Sequence, residues 1–320
     1  MAEPPFWQAL IKSVNFYGRF APSFTRIGYV ARGLPFNPVK ADYSGQSWIV
    51  SGATGGLGKA AALRAAAKGA TVYALGRNAR ALSDLVAEAR GSGTIIPVSC
   101  DLSSMAAVAG LTARPELAGV RFDVVVNNVG LLMREFVATG EGLETSYATN
   151  LLGHFILTED LHRAGALKPG AAIINVVSGG LYNVGLNKKL LNIPEAHFNG
   201  FAAYAGHKRA QLALTEHWRE AWAADGIKTY AVHPGWADTA GVKTSLPKFR
   251  QILAPILRNS HQGADTIDWL AANRPAEVVD QIWFDRKPRT AHAYPHTRGP
   301  RTSIADIASY LQADRMRLGV

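Results

Sequence analysis

One stretch constrains the fold more than any other: Gln46 to Arg77, QSWIVSGATGGLGKAAALRAAAKGATVYALGR. Trp48-Ile49-Val50 reads as a buried strand, and a turn with Gly52, Gly55, Gly56 and Gly58 follows. Lys59 to Lys68, rich in Ala and Leu, reads as a helix closed by Gly69, and Thr71 to Leu75 as the next strand. Strand, glycine turn, helix and strand within about thirty residues make one βαβ unit. Glycine permits both a sharp turn and a close approach of backbone to a ligand. The free N–H groups at the helix start then face an anion, so the turn points to phosphate. The spacing Gly52-x-x-x-Gly56-x-Gly58 departs from the usual G-x-G-x-x-G pattern. A purely structural glycine turn is the competing reading.

The residues after the second strand bear on which dinucleotide would fit. An acid there binds a ribose 2′-hydroxyl, and an Arg accommodates a 2′-phosphate. The chain has Gly76-Arg77-Asn78 and no acid, which favours NADP(H) over NAD(H), with Arg77 as an ordinary surface residue the alternative.

Four more strands are expected before residue 233: Thr94–Cys100, Phe122–Asn127, Ala171–Val177 and Ile227–Val232. The β-branched run at Phe122–Asn127 suits a parallel sheet buried on both faces. Gln281–Phe284 is a seventh, edge strand. Helices are expected at about 142–164, 201–224 and 262–273, with a helix or lid at 247–257. Strands alternating with helices predict a single Rossmann-like α/β domain at 46–285. Its sheet is doubly wound, mainly parallel and seven-stranded, with helices on both faces. Ligands bind outside the carboxyl ends of such strands. Arg77, Asp101, Asn127-Asn128, Ser178 and Pro234-Gly235 all fall at strand ends and converge there.

These residues resemble the classical short-chain dehydrogenases/reductases over about 46–275. The resemblance lies in Ser51 to Gly58, Asp101-Leu102, Asn127-Asn128-Val129-Gly130, Asn150, Ser178, Tyr204-x-x-x-Lys208 and Pro234-Gly235 with Thr239. Ser51 stands where Thr is usual, and Val129 where Ala is usual. The stretch HPGWADTAGVKTSLP, then QGADT and FDRKP, resembles the branch called SDR family member 12. The resemblance implies an NADP(H)-dependent oxidoreductase that interconverts a carbonyl and an alcohol. It assigns Gly52, Thr54, Gly56, Leu57, Gly58 and Arg77 to the cofactor. Asp101 and Leu102 go to the adenine, and Asn128 and Gly130 to the adenosine side. Pro234, Gly235 and Thr239 go to the nicotinamide amide, and Lys208 to its ribose. Ser178 would bind the substrate oxygen, and Asn150 would hold a water linking Lys208 to solvent.

Physical chemistry supports the central pair. Tyr204 and Lys208 are four apart and share one helix face. A free phenol, with a pKa of about 10, is a poor base at neutral pH. A nearby ammonium stabilises the phenolate, so Tyr204 can exchange a proton with a substrate oxygen. Tyr182 is closer to Ser178, but Leu186 and not Lys stands four residues on. Ser178 and Tyr204 are 26 residues apart, a long separation that resembles the retinol-dehydrogenase-like members. The insert Leu181–Ala203 would wall an apolar pocket with Leu131, Leu132, Met133 and Trp236, or else pack on the surface. A bulky apolar carbonyl or alcohol is the expected substrate.

Composition narrows the rest. The net charge is +10, of which residues 1–45 carry +3 and residues 286–320 carry +5. The balanced middle argues against a nucleic-acid-binding body. Cys100 is the single cysteine, so no disulfide framework is expected, and a reducing, cytoplasmic compartment is. No apolar run reaches the ~18 residues of a membrane span, and Pro4, Pro5, Gln8 and Lys12 interrupt any signal-peptide core. The nine histidines show no metal-binding spacing, and His207 and His233, beside the motifs, are expected to be ordinary helix-face or loop residues.

Residues 1–45 form an aromatic and basic arm, with Trp7, Leu10, Ile11, Val14 and Tyr17 on one helical face. It packs on the domain or a neighbouring subunit, or it makes a peripheral membrane contact. Residues 286–320 are expected to be a basic, poorly ordered tail. The resemblance implies a homodimer or homotetramer through two long helices, at 142–164 and 201–224. The alternative function is an NADP(H)-binding regulatory or membrane-peripheral scaffold protein with little chemistry.

Overall fold

The computed structural model describes residues 18–320, so the helical face expected at Trp7 to Tyr17 lies outside the described residues. Eight strands form one sheet: β1 Ser47–Ser51, β2 Thr71–Gly76, β3 Thr94–Ser99, β4 Phe122–Asn127, β5 Leu167–Val176, β6 Lys228–Val232, β7 Gln281–Phe284 and β8 Lys287–Thr290. Their order is β3-β2-β1-β4-β5-β6-β7-β8. Strands β1 to β7 pair in parallel, and β8 runs antiparallel to β7. The order reverses between β1 and β4, which opens the crevice where such sheets bind ligands.

The eighth strand corrects the expected seven. Asp285 and Arg286, at φ 49° and 57°, supply the left-handed pair that a two-residue hairpin turn needs. All four residues of β8 are exposed, so no apolar pattern marks it in the sequence.

Side chains alternate across the sheet as the pleat requires. Trp48, Val50, Val72, Val124 and Val126 enter one core layer with the alanines of α2 (Gly56–Ala67). Ile49, Tyr73, Leu75, Val125 and Ile173 enter the other. That second layer is covered by two long helices. One is α5 (Gly153–Arg163), continuous with a short turn at Thr145–Tyr147 and a π-helical turn at Ala148–Leu152. The Glu144 carboxylate starts this run by accepting from Ser146 N and Tyr147 N, both at 2.8 Å. The other is α6 (Gly200–Ala221), capped by Asn199, which accepts from Ala202 N at 2.9 Å. Shorter helices complete the wrap: α1 Arg26–Gly33, α3 Ala79–Glu88, α4 Met105–Ala109, α7 Ala240–Ser245, α8 Pro247–Leu253 and α9 Ser260–Asn273.

Both ends of the described residues are built into this body. After β8 comes α10 (Ile304–Arg317), with a Ser303–Asp306 capping box. Ile307 and Leu311 of α10 are fully buried in the layer that also holds Phe155 of α5 and Leu214 of α6. The expected tail is thus a strand and a helix.

At the other end, residues 18–24 are helical and continue into α1. Phe20 and Phe24 stack 4.6 Å apart, and Phe24 reaches the His233 ring at 4.4 Å. The carbonyls of Ser23 and Phe24 accept from the buried Arg258 at 3.2 and 2.9 Å. Arg258 also meets Asp285 at 2.6 Å, a carboxylate that it shares with Arg32. For residues 18–33 the arm is docked on the domain.

Candidate active site

The glycine turn sits at the crevice with the geometry that close approach demands. Gly52 has φ 63°, and a Cβ added there would lie 2.6 Å from Val129. At Gly58 it would lie 2.4 Å from the Gly52 carbonyl and 2.5 Å from Asn128 Nδ2. Asn128 in turn donates to the Ser51 carbonyl at 2.9 Å, which ties the end of β4 to the turn. Gly55 is exposed, with nothing within 4 Å of where its Cβ would stand. This cradle of backbone at the start of α2 fits a diphosphate.

The other expected cofactor residues surround it. Thr54 packs on Gly76 at the end of β2, and the exposed Arg77 follows at once. Leu57 packs on Gly263 of α9. Asp101 accepts from Ser103 N at 2.9 Å in the loop after β3, and Leu102 is buried beside it. Thr239 comes within 3.0 Å of a Cβ at Gly56, so the loop after β6 closes over the turn. Gly235, at φ 74°, lies directly on the Arg258 side chain, and Pro234 offers its carbonyl to the same guanidinium at 3.4 Å. Helices α7 and α8 after this loop are tied down: Ser245 Oγ donates to the Leu132 carbonyl at 2.8 Å, and Arg250 pairs with Asp238 at 2.7 Å.

Tyr204 lies between two glycines. A Cβ at Gly180 would touch its ring at 3.4 Å on one side, and a Cβ at Gly130 would stand 3.9 Å away on the other. Ser178, at the end of β5, hydrogen-bonds the Tyr204 hydroxyl. Burial pushes the phenol above its ordinary pKa, and the Ser178 hydrogen bond lowers it. The ring keeps an open edge at the crevice, being half-buried.

The Lys208 ammonium lies 5.8 Å from the Tyr204 ring centroid and is itself buried. It donates to the Val176 carbonyl and to Gln211 Oε1, both at 2.8 Å. Burial brings its pKa down to about 7. The direct hydrogen bond to the phenol therefore comes from Ser178, and Lys208 acts at ring distance.

Asn150 is buried in the π-helical turn, with its side chain committed to protein groups. Its amide exchanges two 2.7 Å hydrogen bonds with the backbone of Leu131 and reaches His207 Nδ1 at 3.3 Å. The amide of Gln211 stands between the Asn150 carbonyl and Lys208. Gln211, three residues beyond Lys208 on α6, and His154, four beyond Asn150, are site residues that sequence reasoning missed. Helical spacing alone was the available signal.

The competing candidates are spoken for. Tyr182 donates to the Thr290 carbonyl at 3.2 Å and stacks on Phe20, and burial pushes its phenol up to about 12. His207 Nε2 meets the Leu191 carbonyl at 2.8 Å, and His233 Nδ1 accepts from Gly235 N at 2.8 Å. Among the described residues, no three His, Cys, Asp or Glu are grouped to hold a metal. Leu181, Leu186 and Leu191 of the insert are packed in the core and do not form a pocket wall. Leu131, Leu132, Met133 and Trp236 remain half-buried around the crevice.

Comparison with known proteins gives the family of the chain. The family model for short chain dehydrogenase matches residues 46–248. A human protein named dehydrogenase/reductase SDR family member 12 is 32% identical over 291 residues, covering 89% of this chain and 91% of its own length. Human retinol dehydrogenase 12 is 26% identical, with 81% of this chain and 83% of its own covered. Among solved structures is one from Beutenbergia cavernae, described as a candidate NAD(P)-dependent gluconate 5-dehydrogenase and holding NADP at low occupancy. It superposes with a TM-score of 0.60 at 25% identity, over 76% of this chain and 96% of its own. Among the described residues, no helix is long and apolar enough to cross a membrane. The chain belongs to the short-chain dehydrogenase/reductase family, in the branch of SDR family member 12, and is an oxidoreductase of the carbonyl/alcohol type that uses a nicotinamide cofactor.

Proposed function

We propose that the protein is an NADP(H)-dependent oxidoreductase that interconverts a bulky apolar carbonyl compound and its alcohol. The observation that carries the reading is Tyr204, hydrogen-bonded to Ser178, half-open to the crevice and 5.8 Å from a buried ammonium. When bound, the nicotinamide supplies or accepts the hydride. Tyr204 exchanges the proton at the substrate oxygen, and Ser178 donates a hydrogen bond to that oxygen. Lys208 favours the phenolate electrostatically, and its third N–H is left for a cofactor hydroxyl. Gly52, Thr54, Gly56, Leu57 and Gly58 cradle the diphosphate, and Arg77 takes the 2′-phosphate. Asp101, Leu102, Asn128 and Gly130 border the adenosine side, and Pro234, Gly235 and Thr239 border the nicotinamide.

Two features support the substrate class: the half-buried Leu131, Leu132, Met133 and Trp236, and the similarity to retinol dehydrogenases. Calorimetric titration with NADPH and NADH, followed by a screen of apolar ketones and aldehydes, tests the reading. NADPH should bind more tightly, and Tyr204→Phe should keep that binding while losing turnover. Full turnover in Tyr204→Phe would remove Tyr204 from the chemistry, and failure to bind either nucleotide would remove the enzyme reading altogether.

A second reading adds a peripheral membrane contact. Ile27, Val30 and Leu34, spaced three and four apart, are 61%, 50% and 82% exposed on and just after α1. Co-sedimentation with anionic vesicles should fall when the three are changed to Ser, and equal binding would sink it.

A further inference from the structure

The hydrogen bonds behind Lys208 form a chain whose direction is set by counting donors and acceptors. Ser51 Oγ accepts from the backbone N–H of Asn128 at 2.8 Å and of Val129 at 3.1 Å, which occupies both lone pairs. Its own proton therefore goes to His154 Nε2, 2.9 Å away. His154 then carries its proton on Nδ1 and donates it to the Asn150 carbonyl at 3.1 Å. Gln211 Nε2 donates to that same carbonyl at 2.8 Å. Its 3.2 Å approach to His154 Nδ1 is a side contact between two donors. With the amide nitrogen on this side, Gln211 Oε1 faces Lys208 and accepts from its ammonium at 2.8 Å. The opposite amide orientation would set NH2 against ammonium and leave the carbonyl without this donor.

Every member of the chain is buried: Ser51 and His154 at 1% exposure, Asn150 at 0%, Gln211 and Lys208 at 2%. His154 stays neutral because burial, and after it the Lys208 charge, hold its pKa down to about 3. That agrees with an Nε2 that accepts.

Resting on the reading of Lys208 and Tyr204 as the working pair, we propose that Gln211 is a positioning residue of the catalytic centre. Its amide bridges the Lys208 ammonium directly to the Asn150 carbonyl and holds the ammonium beside the Tyr204 ring. An amide both donates and accepts, but it passes no proton along without changing its own covalent form. The bridge therefore positions Lys208 and does not itself relay a proton. It also ties Lys208, through Asn150, His154 and Ser51, to the strand that leads into the glycine turn.

The test reads Lys208 itself, without substrate. Protein labelled with 15N at the lysine side chains is titrated by NMR, the Lys208 signal being assigned by its loss in Lys208→Met. The titratable groups facing Lys208 are Tyr204 and His207 on its own helix and His154 of α5, so the variants change Gln211 alone. Removing the acceptor in Gln211→Leu should lower the Lys208 midpoint, and placing a carboxylate there in Gln211→Glu should raise it. The two should differ by about one pH unit or more, with wild type between them.

Equal midpoints in three folded proteins would overturn the bridge. If Gln211→Leu does not fold, Gln211→Glu against wild type decides by the same criterion. An ordered shift in a protein that turns over no carbonyl would keep the bridge and reject the enzyme reading.

Discussion

Arg315 of α10 meets Asp160 of α5 at 2.7 Å, and both side chains are buried. At the preceding residue of α10, Tyr147 donates to Asp314 at 2.7 Å. These contacts seat the last helix on the face formed by α5 and α6, the face expected to join two subunits. Because α10 already covers it, the full chain should run as a 34.3 kDa monomer in light scattering, and a dimer or tetramer would need another surface. Removing residues 304–320 should expose the apolar strip under Ile307 and Leu311 and cause self-association. A stable dimer of the full chain that cross-links through α6 would contradict this.

Asp285 is the common acceptor of Arg258 and Arg32, 1% exposed, beneath the Pro234-Gly235 turn. Breaking a buried pair by removing one partner costs about 3–5 kcal/mol, because the other charge stays buried. Asp285→Ala should show a loss of that order in urea unfolding and faster proteolysis within residues 18–33. A variant with wild-type stability and protection would mean that the arm is held by its aromatic contacts alone.

Arg77 follows β2 and is exposed, where a 2′-phosphate would reach it. Arg77→Ala should weaken NADPH binding by about ten-fold or more and leave NADH nearly unchanged, since a charge-assisted pair is lost for one nucleotide only. Equal losses for both would assign Arg77 to the surface.

Three buried histidines give stability a defined dependence on pH. His154 and His233 are held to about 3 and His207 to about 4, chiefly by burial, against about 6.5 in an unfolded chain. Between those limits the unfolded state binds more protons, so the histidine contribution to stability is complete above about 6.5 and is lost as pH falls. Near pH 5 the slope should approach three protons, roughly 4 kcal/mol per pH unit. Lys208, lowered to about 7, has the same sign: its contribution rises with pH from about 7 to its unfolded value. Urea midpoints measured from pH 4.5 to 8 check this, and a flat profile below 6.5 would show that the histidines are accessible to protons.

The fold and its binding crevice were legible because local chemistry dictates them. Apolar runs of strand length, a glycine turn between strand and helix, and a tyrosine and lysine four apart are statements about neighbours in the chain. Lys287–Thr290 were illegible because an edge strand exposed on both faces carries no pattern. Ile304–Arg317 looked like a tail because a polar stretch with three prolines precedes it; Ile304, Ile307, Ala308 and Leu311 do fall at helical spacing, but only the α5–α6 face gives Ile307 and Leu311 somewhere to go.

The same division holds inside the site. That Tyr204 and Lys208 share a face follows from 3.6 residues per turn. That Ser178 touches the phenol, that Arg258 grips an arm more than 230 residues away, and that Gln211 joins Lys208 to Asn150 depends on three-dimensional packing. Hydrogen-bond partners are chosen by proximity and by the cost of leaving a buried polar group unpaired. Neither quantity exists until the chain has closed on itself.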